Sequence, residues 1–527
     1  MNCISNPGHD CLPHPSRTNA RWPARVVKVG AEAISLVDFD PDTMGGGFAA
    51  LSYPWGSAAD LEHNPPYLAL ASTLDDLRAG ISVTRLPLTI RHAVSLCVIL
   101  EIGYLWVDSL CIIQDSPNDW EIEASKMETV YSASKLTIIA AAAKSCHDGI
   151  SESTPPDSIS LFLSTEPVFQ VIARKPARSG YHQRRYNMIV ADTLATRGWA
   201  YQEEFLSSRY MKIATDDVQW KCQVGASCIC GESPAEQTEP TAETVTMLET
   251  WEDIVEDFSR RSLTVETDRL VAFSGIARRF APIFDDAVEG DESSYVAGLW
   301  RSDLVKQLQW VSMAPYLDDE KGFYKPSCFV APTFSWASVP GVLYPKRPMV
   351  RDGVRVQFES LCDVLDVGTK LEAINNRFGK VSSGSVILRG PVIPCIVEPA
   401  KPREGQYSSS SYSYHVEVHK VLPELMSVDT SFYPDYHTSE VTTVGGETIL
   451  QRKTSQSEPK PSGEKRASIL LLTRYNLSRV YIGVIITPQI GTDGYQRLGH
   501  IRITASDEIT SDDTSILEPW MRDITLY

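Results

Sequence analysis

The sequence predicts an α/β layer with a mostly parallel sheet and flanking helices, then a helical segment, then a β-rich C-terminal domain. Three observations carry this reading. Short apolar runs at 48–53, 104–108 and 136–143 alternate with stretches at helical spacing, as buried parallel strands and their crossovers do. Residues 251–280 keep a helical pattern. From Gly353 onward the texture changes to β-branched runs broken by Gly and Pro, among them 386–388, 393–397, 469–472 and 480–486.

In chain order, residues 25–38 read as a hairpin, with Val26, Val27, Val29, Ile34 and Leu36 flanking Gly30. Three glycines at 45–47 precede the first buried strand. Leu88, Ile90, Ala93, Val94, Cys97 and Val98 then repeat at helical spacing. Tyr104, Leu105, Trp106, Val107 and Asp108 follow as a central parallel strand, and a helix is expected around 117–132. The organisation that results is an N-terminal hairpin or extension (1–47), an α/β domain (48–231), a linker (232–250), a helical region (251–345) and a β-rich domain (346–527). Residues 438–468, rich in Ser, Thr, Lys, Glu and Pro, are expected to form a mobile loop, and 151–160 and 408–413 are read as loops or insertions.

Composition excludes several function classes. At 43% hydrophobic and 22% charged residues the 527-residue chain is globular, and its net charge of −18 lacks the basic footprint of a nucleic-acid binder. Eleven cysteines, an odd number with no secretory signal before them, read as reduced intracellular thiols. Cys222, Cys228 and Cys230 match no zinc spacing, so no metal is expected. The most apolar stretch, 93–113, is interrupted by Glu101 and Asp108, which argues against a membrane span. A soluble, cytoplasmic protein is expected.

The densest chemistry lies between 105 and 131. Ser116 is placed to cap a helix, Pro117 suits its first position, and Asp119 completes an acidic capping box. With that phase Glu123, Met127, Val130 and Tyr131 share one stripe. Glu123 therefore turns inward near the C-terminal end of the strand that finishes at Asp108, where parallel sheets bind ligands. Either it acts there as a desolvated carboxylate, or it pairs with a cation or caps a loop. Asp108, Gln114 and Asp115 surround the same loop and serve either its backbone or a ligand. Tyr53 and Trp55 end another strand and either stack on a planar ligand or seal the sheet edge. Trp199, Gln202 and Leu206 share a helical face, and Arg197 opens that helix, suited to an anion or to a structural pair with Glu203.

Three blocks resemble the fungal heterokaryon incompatibility (HET) domain family. They are Ala50-Leu51-Ser52-Tyr53-Pro54-Trp55-Gly56; Tyr104-Leu105-Trp106-Val107-Asp108-Ser109-Leu110-Cys111-Ile112-Ile113-Gln114-Asp115 with Asp119, Trp120, Glu123, Met127 and Tyr131; and Arg197-Gly198-Trp199 with Gln202, Glu203, Leu206, Ser207, Ser208 and Arg209. Looser likenesses follow at Ser259-Arg260-Arg261, Asp268-Arg269-Leu270, Gly298-Leu299-Trp300 and Phe334-Ser335-Trp336-Ala337-Ser338.

The resemblance implies a role in fungal non-self recognition, ending in growth arrest or programmed cell death. It also implies a distant likeness to TIR domains, some of which cleave NAD through a glutamate on the helix after a sheet strand. Glu123 stands in that place, although Trp120 precedes it by one residue fewer than is usual there. NAD would then be a substrate, Glu123 the catalytic residue, and Tyr53, Trp55, Asp108, Gln114, Asp115, Arg197, Trp199 and Gln202 the binding residues. Two other readings stay open: a non-enzymatic module that works by self-association or by meeting an allelic, non-self partner protein, and an enzyme of fungal specialised metabolism using the same cleft.

Overall fold

The computed structural model describes residues 22–44, 47–150, 158–163, 169–174, 193–215, 218–223, 225–228, 247–284, 294–313, 328–345, 350–351, 354–355, 358–373, 376–399, 414–418, 429–435, 438–442, 448–452, 465–475, 480–504 and 514–527. The stretches 151–157, 232–244 and 408–413, expected as loops or linker, lie outside them. The chain divides into two compact units, 1–244 and 245–527.

The first unit is built on a sheet of nine strands: β1 (Arg25–Lys28), β2 (Ala33–Asp38), β3 (Ala49–Ser52), β4 (Ile81–Ser82), β5 (Tyr104–Trp106), β6 (Leu136–Ile139), β9 (Arg209–Ile213), β10 (Val218–Cys222) and β11 (Ala226–Cys228). Between them in the chain, β7 (Ser158–Leu163) and β8 (Phe169–Arg174) form a separate hairpin. The spatial order is β11-β10-β9-β6-β3-β5-β1-β2-β4. The three pairings at the centre, β5–β3, β3–β6 and β6–β9, are parallel. The rest are antiparallel, so the sheet is mixed and the expectation of a mostly parallel one needs correcting. The physical reason is local. The 25–38 hairpin adds to the sheet beside β5, with Val27 opposite Leu105, and a meander from β9 to β11 extends the other side.

β5 still behaves as a central strand. Leu105 and Trp106 are fully buried, and Trp106 packs edge-on against Tyr131. Helix α1 (Leu88–Ile99) buries Thr89, Ile90, Ala93, Val94 and Cys97, the spacing that 3.6 residues per turn requires. The expected helix over 117–132 is two helices, α2 (Pro117–Ala124) and α3 (Met127–Ala133), broken at Ser125 and Lys126. Ser116 caps α2 by accepting from the Asp119 amide at 3.3 Å. Asp119 does not return the bond. Its Oδ2 instead accepts from Arg25 at 2.5 Å and from the Ile113 amide at 2.8 Å, tying the hairpin to the loop. Helix α4 (Gly198–Leu206) follows Arg197.

In the second unit, α5 (Met247–Ser259) buries Leu248, Trp251, Ile254, Val255 and Phe258 on one face. Trp251 meets Phe273, Trp300 and, from α6 (Ser274–Phe284), Phe280 and Phe284, ring to ring. The sequence blocks that follow the first unit meet here. Arg269 donates to the carbonyls of Ala337 and Val339 at 2.8 and 2.6 Å, and the Trp336 indole donates to Gly298 O at 2.8 Å. Gly298 has φ +98°, and a Cβ there would lie 2.6 Å from that indole nitrogen, so only glycine fits.

The β-rich part is a sheet whose main strands are β12 (Asp363–Leu371), β13 (Val381–Pro399), β14 (Lys465–Tyr475), β15 (Val480–Pro488), β16 (Tyr495–Thr504) and β17 (Met521–Leu526). β13 pairs with β12, with β17 and with β14, and the run β17-β16-β15-β14 returns to it, closing the pairings into a ring. Within 438–468, expected as a mobile loop, Thr438–Thr442 and Thr448–Arg452 form an antiparallel pair. Val441, Ile449 and Leu450 give that segment a strand propensity which its polar composition hides.

Among the described residues, Cys228 departs from the all-reduced reading. It is disulfide-bonded and sits half-buried on the edge strand β11, whereas Cys97, Cys111, Cys146, Cys362 and Cys395 are packed in cores as free thiols.

Candidate functional site

Because β3, β5 and β6 run parallel, their C-terminal ends lie along one edge of the sheet, where ligands bind in such layers. β3 delivers Ser52, Tyr53 and Trp55 to that edge, and β5 delivers Asp108 at the start of a single helical turn, Asp108–Cys111. The Trp55 indole donates to Asp108 Oδ2 at 2.7 Å, and the Ser109 amide donates to Oδ1 at 2.7 Å. Tyr53 is 5% exposed and its hydroxyl donates to Ser109 Oγ at 2.8 Å. Arg197, at the head of α4, donates to Tyr53 O at 3.4 Å. Four residues read from the sequence thus come together: Tyr53, Trp55, Asp108 and Arg197. Tyr53 is a buried wall; Trp55, half-buried, keeps surface for a planar ligand.

The group that sequence reasoning missed is Glu203. Desolvation raises its carboxyl to about 7; the neighbouring Asp108 charge adds to the rise, while Ser52, Arg197 and Tyr131 oppose it. Burial also raises Asp108, against the opposing effect of its Trp55 and Ser109 bonds. Ser52 Oγ, on a residue 1% exposed, lies beside the Glu203 carboxyl yet completes no hydrogen bond of ordinary geometry. Burial pushes the nearby thiols of Cys111 and Cys146 up to about 12 and 11, which removes them as nucleophiles. The chemistry of the site is therefore two carboxyls with raised affinity for a proton, walled by aromatics, with one arginine at the rim. The sequence signal for Glu203 was a carboxylate four residues after Trp199 on a short helix with an apolar face, next to the glutamine that drew attention instead.

The other predicted residues fall outside this group. Gln114 donates to the carbonyls of Asp108 and Ile112, both at 2.9 Å, and so fixes the loop. Asp115 accepts from the Ala71 amide at 3.0 Å on the exposed side. Trp199 packs edge-on against Trp120, and Gln202 is buried on the inner face of α4. Glu123 is 1% exposed as its phase requires, but both its oxygens are engaged. Oε1 accepts from Lys126 at 2.6 Å and Oε2 from the Ala24 amide at 3.2 Å. Those partners give it a tethering role between α2 and the start of β1. Glu123→Ala is expected to destabilise the first unit by about 1–3 kcal/mol, the cost of leaving buried partners unmet. Urea unfolding measures this, and a cost near zero would remove the tether.

Among the described residues no helix is long and apolar enough to cross a membrane. No curated protein and no solved structure matches the chain. Residues 48–203 match the family model described as Heterokaryon incompatibility protein (HET). With Tyr53, Asp108, Arg197 and Glu203 all inside that span, the chain carries a heterokaryon incompatibility (HET) domain.

Proposed function

We propose that this protein acts in fungal non-self recognition, and that its HET domain drives growth arrest or cell death by hydrolysing the glycosidic bond of NAD, with Glu203 rather than Glu123 as the reacting carboxyl. The observation that carries the reading is the Glu203 carboxyl, raised to about 7 by burial at the ligand-binding edge of the sheet, with Asp108 beside it. A carboxyl that takes and releases a proton near neutrality suits general acid–base work.

In this reaction the bond between C1′ of the ribose and the nicotinamide nitrogen breaks, and the bonding pair leaves with neutral nicotinamide. The ribosyl group develops oxocarbenium character, which a fixed carboxylate in a dry site stabilises better than water does. Water adds at C1′, and its proton passes to the Glu203 carboxylate, giving ADP-ribose. Asp108, held by Trp55 and Ser109, supplies the second negative charge, and the exposed part of Trp55 supplies a face for the leaving ring.

The test is purified full-length protein incubated with NAD, with nicotinamide followed by chromatography. Turnover that rises with pH through about 7 is expected, because the base must be ionised. If wild-type protein kills cells but releases no nicotinamide, the self-association reading takes its place. Trp120 and Ile122, 37% and 43% exposed on α2, would then be the first surface to examine.

A further inference from the structure

A second feature lies on the same sheet edge. A cavity of about 210 Å3 opens at the loop after β6, lined by Ala142, Ala143, Lys144, Asp148 and Gly149. The loop is joined to the carboxyl site. The Cys146 amide donates to Trp55 O at 3.2 Å, and the Trp55 indole reaches Asp108. Cys146 feels the charges of both Asp108 and Asp148, so the cavity and the site are electrostatic neighbours.

The loop is fixed in place by α1. Thr89 Oγ1 accepts from the Gly149 amide at 3.1 Å, His92 Nδ1 accepts from the Ile150 amide at 3.2 Å, and a Cβ on Gly149 would lie 2.8 Å from the His92 ring. A pocket for a whole ligand measures roughly 300–1,000 Å3, so this cavity suits one part of a larger molecule. Its polar groups indicate which part. Lys144 is exposed, and its ammonium makes no ion pair among the described residues. Asp148 Oδ2 accepts from the amides of Lys144 and Ser145 at 2.9 and 2.8 Å, which offsets its charge and leaves Oδ1 as an acceptor. A cation beside a carboxylate acceptor matches a phosphate oxygen beside a sugar hydroxyl.

We infer that this cavity is a ribose-phosphate subsite of the carboxyl site, with Lys144 on the phosphate and Asp148 on a hydroxyl, and that the substrate is a nucleotide rather than a nucleoside. Its place in catalysis rests on the glycosidic reading above; its ligand does not. The experiment uses the full chain, with ADP-ribose binding measured by calorimetry for wild type, Lys144→Ala and Lys144→Arg. Lys144 is exposed, so neither substitution disturbs a core.

Lys144→Ala should weaken ADP-ribose at least about tenfold, the loss of one charge-assisted contact, and Lys144→Arg should restore most of it. In turnover, the KM for NAD should rise by the same factor with kcat held within about twofold, while nicotinamide riboside, which lacks phosphate, is cleaved as before. If wild type binds no ADP-ribose, or if Lys144→Ala binds it equally well, the subsite is overturned whatever the turnover shows. If binding depends on Lys144 but wild type leaves NAD intact, the subsite stands and the glycosidic reading falls.

Discussion

Glu203→Gln should lower NAD turnover by about 10²–10⁴-fold, the span that a positioned acid–base group contributes. The amide keeps the volume and loses the proton exchange. The same substitution has a second, independent readout in stability. In the unfolded chain the carboxyl titrates near 4.5, and in the folded chain near 7. Between those values the folded state holds the extra proton, so the stability this group lends is complete below about 4.5 and is lost as pH rises through about 7. The full span is on the order of 3 kcal/mol, since each tenfold change in proton affinity is worth about 1.4 kcal/mol. Glu203→Gln should flatten that slope, leaving a residue of the same sign from Asp108, whose carboxyl is also raised. Urea unfolding at pH 5 and pH 7 reads it directly. A Gln variant that keeps both full turnover and the wild-type slope would dismiss Glu203 from the chemistry and from the buried site.

Arg497→Met should cost the second unit about 3–5 kcal/mol, the loss seen when one member of a buried ion pair is removed. Arg497 and Asp435 are both 0% exposed at the side chain and meet at 2.9 and 3.2 Å through two nitrogens. The guanidinium also donates to the carbonyls of Leu308 and Trp310 at 2.7 and 2.6 Å and lies 3.3 Å from the Trp310 ring centre. It thereby joins β16 to the segment between α6 and β12. Removing it takes away the cation that meets both oxygens of the buried Asp435 carboxylate. Adding Asp435→Leu should recover part of the loss, because the stranded charge goes with it. Chemical denaturation of wild type, Arg497→Met and the double variant decides this; a single variant within about 1 kcal/mol of wild type would mean that packing, not the ion pair, holds the joint. The same cation, together with Arg502, adds to burial in pushing His500 down to about 3, so that histidine stays neutral in the folded unit.

Much of the first unit is legible in the sequence because its signals are local. A run such as Tyr104-Leu105-Trp106-Val107 has no Gly or Pro and reads as a buried strand, and Ser116-Pro117 reads as a helix start. Partnership is what a sequence hides. Helical phase places Glu123 inside, yet phase is silent about Lys126 across the break at Ser125 or about the Ala24 amide. Glu203 becomes visible only when the fold sets it against Asp108, Ser52 and Tyr131, which come from the β5 edge, β3 and α3. The mixed sheet escapes for the same reason. Period-2 patterning gives strands, but whether the 25–38 hairpin lies apart or pairs with β5 is decided by non-local hydrogen bonds. Arg497 is invisible as a core residue, since an arginine between strand residues reads as solvent-facing until its buried carboxylate is found.

β13, 19 residues long, takes β17 along its middle, Val386 beside Leu526 and Pro391 beside Met521. During synthesis this sets an order of maturation. The strands of the first unit's sheet have all been made by Cys228, so that unit can assemble while the rest of the chain is still being translated. The second unit cannot, because the strand that seals β13 is made only at residues 521–526, after every other strand of its sheet. Until then Val386 and Leu388, both fully buried in the finished unit, face an open strand edge. Such an edge invites pairing with other nascent chains. The interval between the two events, and so the exposure to misassembly, is set by elongation speed.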